Sequence, residues 1–343
     1  FILQANVIYL GEMSGVISPA SSAYILRAIT IAEEKNAECL IIKLDTPGGL
    51  DESMREITKR ILNAKIPVVI YVAPKGARAA SAGVFILYAS HIAAMAPGTN
   101  VGAAHPVGMG REKMDTVMVS KVTNDAVAYL QSLAKARNRN IQWAEKAVRE
   151  SASIDDETAL KIGVCEIIAE NEEALINKLD GRDVKVDEYT KKLDTKSVPI
   201  KKFSMTLRER LLLILTNPNI AYILLLLGIY GLFFELQNPG MIFPGVVGGI
   251  CLILGFYALH LLPVNYAGLA LIILSAIFFI LEIYVTSHGL LSIGGVISLI
   301  MGSLILFESD LPFLRVSWEV IMVVVIIILV FVGLLLFLGI KAQ

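Results

Sequence analysis

Residues 67–90 read PVVIYVAPKGARAASAGVFILYAS, and the meaning of RAASAG (78–83) at their centre decides how the first half of the chain is understood. PVVIYVAP (67–74) is an apolar, β-branched run and reads as a strand. AGVFILYAS (82–90) reads as a helix. A helix start exposes backbone N–H groups and suits an anion. The small neighbours of Ser81 leave room for a substrate. Ser81 is thus either an N-cap serine or a nucleophile at a strand-to-helix junction, and these six residues alone favour the cap.

Working outward, strand and helix patterns alternate. NVIYLG (6–11) is a strand, SPASSAYILRAITIAEEKNA (18–37) a helix, and ECLIIKLDTPGG (38–49) a strand running into a turn. LDESMREITKRILNAK (50–65) is an amphipathic helix, and HIAAMAPGTNVGAAHPVG (91–108) reads as short strands and turns. KVTNDAVAYLQSLAKARNRN (121–140) is a long helix; SIDDETALKIGVCEIIAE (153–170) is a capped helix, a stop at Gly163 and a final strand. This order predicts a largely parallel α/β domain. Residues 171–200 are polar and read as a last strand or linker.

The second half differs. The whole chain of 343 residues is 55% hydrophobic and 18% charged, where soluble domains average about 25% charged. The excess lies beyond residue 211, in five apolar runs: Ile220–Phe234, Pro244–Leu262, Tyr266–Leu281, Leu290–Phe307 and Val320–Ile340. Each approaches or reaches the ~20 residues that cross a bilayer as a helix, without ionisable residues at its centre. An integral membrane region of about five spans is expected. FSMTLRERLLLILTN (203–217) is basic on one side and apolar on the other, and reads either as an interfacial helix or as the start of the first span. ELQNPGMIFPGVVGG (235–249) and EIYVTSHGLLSIGG (282–295) form a weak internal repeat, each with a Glu at a span's end (Glu235, Glu282) and a Gly-x4-Gly (Gly240/Gly245, Gly289/Gly294). Helix packing and turns account for these glycines better than a transport path does. The net charge of −1 gives no pointer to nucleic acid. Cys39, Cys165 and Cys251 show no paired spacing, so neither a disulfide framework nor a metal site is expected. Phe1–Leu3 reads as the tail of a removed leader.

A serine nucleophile needs a base and an oxyanion hole. In an open parallel sheet, ligands gather at the carboxyl ends of strands, where both DTPGG (45–49) and RAASAG are predicted to lie. The tandem glycines let backbone N–H groups face a ligand, which makes the N–H groups of Gly49 and Ala82 the candidate donors. Two bases compete. Lys121 works only as a neutral amine, which burial beside apolar groups favours; otherwise it is a surface lysine paired with Asp125. His105 needs no large shift near neutrality, and on the residues alone is the preferred base; otherwise it is a loop histidine with one backbone hydrogen bond. His91, His260 and His288 read as structural.

LDTPGG (44–49), ARAASAG (77–83), MAPGTNVGAAHPV (95–107), KVTND (121–125) and ETALKIGVCEII (157–168), in this order and spacing, resemble the membrane-bound serine proteases of the NfeD family, the stomatin operon partner proteins. These are relatives of signal peptide peptidase A and of the Clp protease fold. The resemblance implies an α/β Clp/crotonase-like protease domain over 1–198, a juxtamembrane amphipathic segment over 199–218 and an all-α polytopic membrane domain over 219–343. It implies a Ser81–Lys121 dyad without cofactor, with Gly48 and Gly49 lining the oxyanion hole. His105 stays open as alternative base or as a residue shaping the site. It further implies a stomatin- or prohibitin-like (SPFH) membrane partner, an apolar polypeptide substrate, a homo-oligomer, and a protease domain outside the cytoplasm. In that orientation KKFSMTLRER (201–210) runs against the positive-inside tendency. A C-terminal OB-type domain common in the family is expected beyond the residues given. The rival from another class is a membrane scaffold that assembles with stomatin-like proteins, with proteolysis secondary or absent.

Overall fold

The computed structural model describes residues 7–107, 116–196, 198–237, 240, 242–262, 264–285, 287, 289–307, 309 and 314–342. Phe1–Leu3 and His288 lie outside the described residues. The described residues fall into two compact units, one of residues 7–106 and 116–211, the other of Val107 and the residues from Leu212 onward.

In the first unit the chain runs β1 (Ile8–Ser14), α1 (Pro19–Glu34), β2 (Cys39–Asp45), α2 (Asp51–Leu62), β3 (Val68–Val72), β4 (Arg78–Ala80), α3 (Ala82–Ala89), β5 (Ile92–Met95) and β6 (Asn100–Gly102). It continues through α4 (Thr116–Ala136), α5 (Ile141–Arg149), β7 (Ser153–Asp155), α6 (Asp156–Lys161), β8 (Ile167–Ile168), α7 (Glu172–Leu179), β9 (Asp183–Val186), β10 (Tyr189–Lys192) and β11 (Ile200–Phe203). The main sheet is parallel, in the order β11-β1-β2-β3-β5-β8. All five residues of β3 are buried, as a parallel strand covered on both faces requires. On one face Ile8, Cys39, Ile41, Val69, Tyr71 and Ile92 pack against Leu175 and Leu179 of α7 and Val184 and Val186 of β9. A second sheet, β4-β6-β7, is joined to the end of β2 by the Thr46–Ala79 bridge and carries the junction at Ser81.

Local chemistry sets the element ends. Ser18 and Ser21 form a reciprocal capping box with Pro19 in the first turn of α1. Residues 171–200, read as a last strand or linker, instead hold α7, capped by the Asn171 side chain at the Ala174 N–H, then the β9–β10 hairpin and β11. Only Leu175, Ile176 and Leu179 of α7 are buried, so its apolar signal is brief within a charged segment. β11 adds to the sheet edge beside β1, pairing Ile8 with Ile200.

The helix α8 (Leu207–Leu215) leads into the second unit, which contains α9 (Pro218–Gln237), α10 (Phe243–His260), α11 (Tyr266–Tyr284), α12 (Leu290–Ile305) and α13 (Trp318–Ala342). Pro218–Leu236 and Phe243–His260 are long and apolar enough to cross a membrane by length and composition; Tyr266–Glu282, Leu290–Ile305 and Trp318–Val330 are shorter apolar stretches. α9 packs on α10 and α11 on α12 through close backbone approach. A Cβ on Gly268 would lie 2.7 Å from the Leu306 backbone, and one on Gly302 would lie 2.9 Å from the Gly268 carbonyl oxygen. Glu282 ends the first member of the second hairpin and accepts from the Gly289 and Ser292 N–H groups at 2.9 and 2.7 Å, closing the start of α12.

Candidate active site

The site grows from the end of β2. Beyond Asp45 the chain turns through Thr46–Gly49, and the turn is stitched to β4: Thr46 N–H donates to the Arg78 carbonyl at 2.7 Å, and Ala80 N–H to the Thr46 carbonyl at 3.0 Å. The fully buried Thr46 hydroxyl donates to the Gly48 carbonyl at 3.1 Å and accepts from the Gly48 N–H at 3.0 Å. Gly48 sits at φ +117, and a Cβ there would lie 2.6 Å from Ser81 Cβ and 3.0 Å from Ser81 Oγ. Only a glycine leaves the serine room.

Ser81 stands between β4 and α3 with φ 51 and ψ −114. A non-glycine residue held there costs on the order of 1–3 kcal/mol and persists only where its surroundings enforce it. They do: Ser81 N–H donates to the Gly102 carbonyl at 3.1 Å, and its carbonyl accepts from Val84 N–H at 3.0 Å. Its side chain makes no cap hydrogen bond to α3, which removes the N-cap reading that the hexapeptide favoured. Ser81 is half-buried.

Two backbone donors stay free beside it. Among the described residues the N–H groups of Gly49 and Ala82 have no acceptor, while that of Gly48 is taken by Thr46. Ala82 opens α3, so its N–H has no intrahelical partner. Gly49 is held close to the first helix's approach, with Ile17 N–H donating to the Gly48 carbonyl at 2.8 Å and Leu50 N–H to the Ile17 carbonyl at 2.9 Å.

The two candidate bases fare differently. β4 and β6 run parallel, pairing Ala80 with Gly102, so Ser81 and the Ala103–His105 stretch leave the same end of the small sheet. His105 is half-buried, and its Nδ1 lies 2.9 Å from the Val148 carbonyl oxygen. A carbonyl only accepts, so Nδ1 is the donor of this bond, and Nε2 is the ring nitrogen left without a partner among the described residues. Lys121 lies in the early part of α4, exposed, and makes no hydrogen bond or ion pair among the described residues. Asp125, its expected surface partner, pairs instead with Arg55 of α2. Neither base is hydrogen-bonded to Ser81. Exposed Val117, Met118, Val119 and Val122 flank Lys121 on α4. His91 is structural: it is half-buried, and its Nδ1 accepts from Val68 N–H at 3.2 Å.

Sequence reasoning missed Thr46 and Gly102. A threonine heading a PGG turn was the available signal, because its hydroxyl reaches its own turn's N–H. Gly102 offers its carbonyl from a backbone at φ +148 where a Cβ would lie 2.2 Å from the Ala152 carbonyl oxygen, and its only trace in the sequence is the glycine itself.

The NfeD1b N-terminal domain profile matches residues 8–189, and the NfeD integral membrane domain profile matches residues 219–339. The chain belongs to the NfeD family. It is 38% identical over 317 residues to the membrane-bound protease PH1510 of Pyrococcus horikoshii, spanning 91% of this chain and 72% of the relative. It is 30% identical over 310 residues to membrane protein NfeD1b of Bacillus subtilis, spanning 86% of this chain and 66% of that one. Among solved structures it resembles a serine-to-alanine variant of the 1510-N membrane-bound stomatin-specific protease, with TM-score 0.56 and 38% identity over 59% of this chain and 99% of that one. A lysine-to-alanine variant of 1510-N in complex with a substrate peptide gives TM-score 0.57 and 38% identity, over 61% of this chain and 97% of that one. This NfeD chain is therefore a membrane protein, with an N-terminal α/β protease domain followed by a helical membrane region.

Proposed function

We propose that the chain is a membrane-anchored serine endopeptidase with Ser81 as nucleophile and Lys121 as general base. The observation that carries this reading is the Ser81 junction: an uncapped hydroxyl at positive φ against the bare Cα of Gly48, with the N–H groups of the next residues along, Gly49 and Ala82, unpartnered among the described residues. The neutral Lys121 amine takes the Ser81 proton as Oγ attacks a peptide carbonyl carbon. The Gly49 and Ala82 N–H groups receive the developing oxyanion, and each such donor is worth about 3–4 kcal/mol in the transition state. Collapse of the tetrahedral species expels the amine, which takes the proton from the lysine. Water then hydrolyses the acyl-serine.

The relative's solved forms, altered at a serine and at a lysine, support the same pair here. So does the apolar surround of Lys121, a surface that a second copy or an apolar substrate would cover, drying the amine. His105, held through Nδ1 by the Val148 carbonyl, is the alternative proton acceptor through Nε2. The substrate is an extended apolar segment, and the relative's specificity for a stomatin favours a stomatin-like membrane protein as its source. On this reading the membrane half crosses the bilayer about five times, the protease domain is extracytoplasmic, and the working form is a homo-oligomer.

The test is cleavage of an apolar peptide by Ser81→Ala, Lys121→Ala and His105→Ala chains. Ser81→Ala is expected to be inactive, Lys121→Ala to lose about 10²–10⁴-fold in kcat, and His105→Ala to lose less. Retained cleavage by Ser81→Ala would remove the proposal. The exposed, unbonded Lys121 favours one second reading, a scaffold for stomatin-like proteins with a silent protease domain. Partner capture by the membrane half alone, with no cleavage by the intact chain, would favour it.

A further inference from the structure

The start of α8 is clamped in one rotation. The Glu209 carboxylate, with the residue only 7% exposed, accepts from Arg27 Nε at 2.6 Å, Arg27 Nη2 at 2.7 Å and Thr206 N–H at 2.7 Å. Arg27 also donates to the Ser204 carbonyl at 3.0 Å and stacks 4.3 Å over the Phe203 ring. At about 100° per residue, turning Glu209 inward sends Leu207, Leu211 and Ile214 outward within an arc of about 60°. They are 75%, 52% and 45% exposed. The same rotation sets Arg208 and Arg210 on the two margins of that arc, both exposed.

Charge is as one-sided as the apolar stripe. Between Asp194 and Glu235, Glu209 is the one acidic residue, and Arg27 already holds it. Arg208 and Arg210, with Lys201 and Lys202 of β11, make no ion pair among the described residues. The apolar stretch Pro218–Leu236 follows within three residues of the end of α8. An exposed leucine stripe edged by cations, at the chain's entry to a membrane-crossing helix, has the chemistry of a bilayer surface.

We infer that α8 lies in the headgroup layer of the leaflet that α9 enters, with Leu207, Leu211 and Ile214 at the acyl boundary and Arg208 and Arg210 on anionic headgroups. The partner is the anionic bilayer surface. Long cationic side chains reach headgroups while their stems stay on apolar ground. Each cation near such a surface is worth about a fivefold preference.

The full chain carrying Leu211→Cys, labelled there with an environment-sensitive dye, tests this in nanodiscs. One set holds phosphatidylcholine alone, the other phosphatidylcholine with phosphatidylglycerol, and brominated lipid serves as quencher. A parallel set adds Arg208→Gln and Arg210→Gln. The expected result is a blue-shifted, lipid-quenched label in the anionic discs. It weakens in neutral discs and in high salt, and its inserted-to-exposed ratio falls about fivefold per arginine replaced. An unchanged melting temperature of the double variant establishes that the fold survives. A label equally quenched in both lipids, or insensitive to the arginines, would overturn the anionic assignment. A label that stays wet in every disc and is shielded only when a second protein is added would overturn it in favour of protein docking.

Discussion

At the scale of single residues, the site is a matter of what is missing around Ser81: a side chain on Gly48, a cap bond, and acceptors for two N–H groups. Each absence makes a prediction. Gly48→Ala puts a methyl against Ser81 Oγ at positive φ; it is expected to abolish cleavage and to lower stability by about 2 kcal/mol, read from activity and chemical denaturation together. Ser81→Gly and Ser81→Ala are both expected to be inactive. The glycine chain should nonetheless be the more stable by about 1 kcal/mol, because glycine occupies φ 51 without strain. Equal stability would remove the strain argument. His91 carries a pH effect. Burial, reinforced by Arg137 and Arg139, pushes its imidazole from 6.5 down to about 3, and its Nδ1 lone pair is already committed to Val68 N–H. Above the unfolded value both states are neutral and the stabilisation is complete. As pH falls below it, the unfolded chain takes up a proton that the folded chain refuses, so stability falls by about 1.4 kcal/mol per pH unit towards the folded value. His91→Gln is expected to flatten that acid limb in denaturation midpoints measured across pH.

At the scale of elements, strands and helices with strong period were legible, and those defined by distant partners were not. β3 announces itself as an unbroken apolar run, β2 as an apolar run interrupted only by Lys43 before its acidic end, and α1 by its Ser-Pro start. α7 was lost because three buried residues in a charged octet do not make a pattern. β4 has three residues and exists only because Thr46 and Asn100–Gly102 flank it, information no local window holds. For the same reason RAASAG read as a helix cap: the positive φ of Ser81 is imposed by Gly102, twenty-one residues away. In the membrane half, Gly240 and Gly289 of the repeat are turn positions at positive φ with open space around them, Gly245 packs against the Glu235 side chain, and the close backbone approaches fall on other glycines, Gly268 and Gly302 among them. Gly268→Leu is therefore expected to separate α11 from α12 and to cost about 1–3 kcal/mol, measured as earlier unfolding in mixed detergent, while the same change at Gly249, which has open space around it, costs little.

At the scale of the whole molecule, the division into a soluble α/β half and an apolar helical half was plain from composition, since charge is nearly excluded from the second. The choice between bases was not, because a base is made by surroundings that come from separate elements. Deleting the apolar character of α4 by Val117→Ser and Val122→Ser is expected to lower cleavage while leaving the melting temperature within about a degree, since both side chains are exposed; sedimentation of the purified protein in detergent would show whether self-association falls in step. Lys121 gives the last consequence of the proposed dyad. Its side chain stands exposed and unbonded on α4, whereas a general base works best in a dry setting. Under the proposed mechanism that drying wall comes from a second copy or from the bound segment itself. Specific cleavage activity is then expected to rise with the number of chains per lipid in reconstituted vesicles, and a flat dependence would point to a base already shielded within one chain.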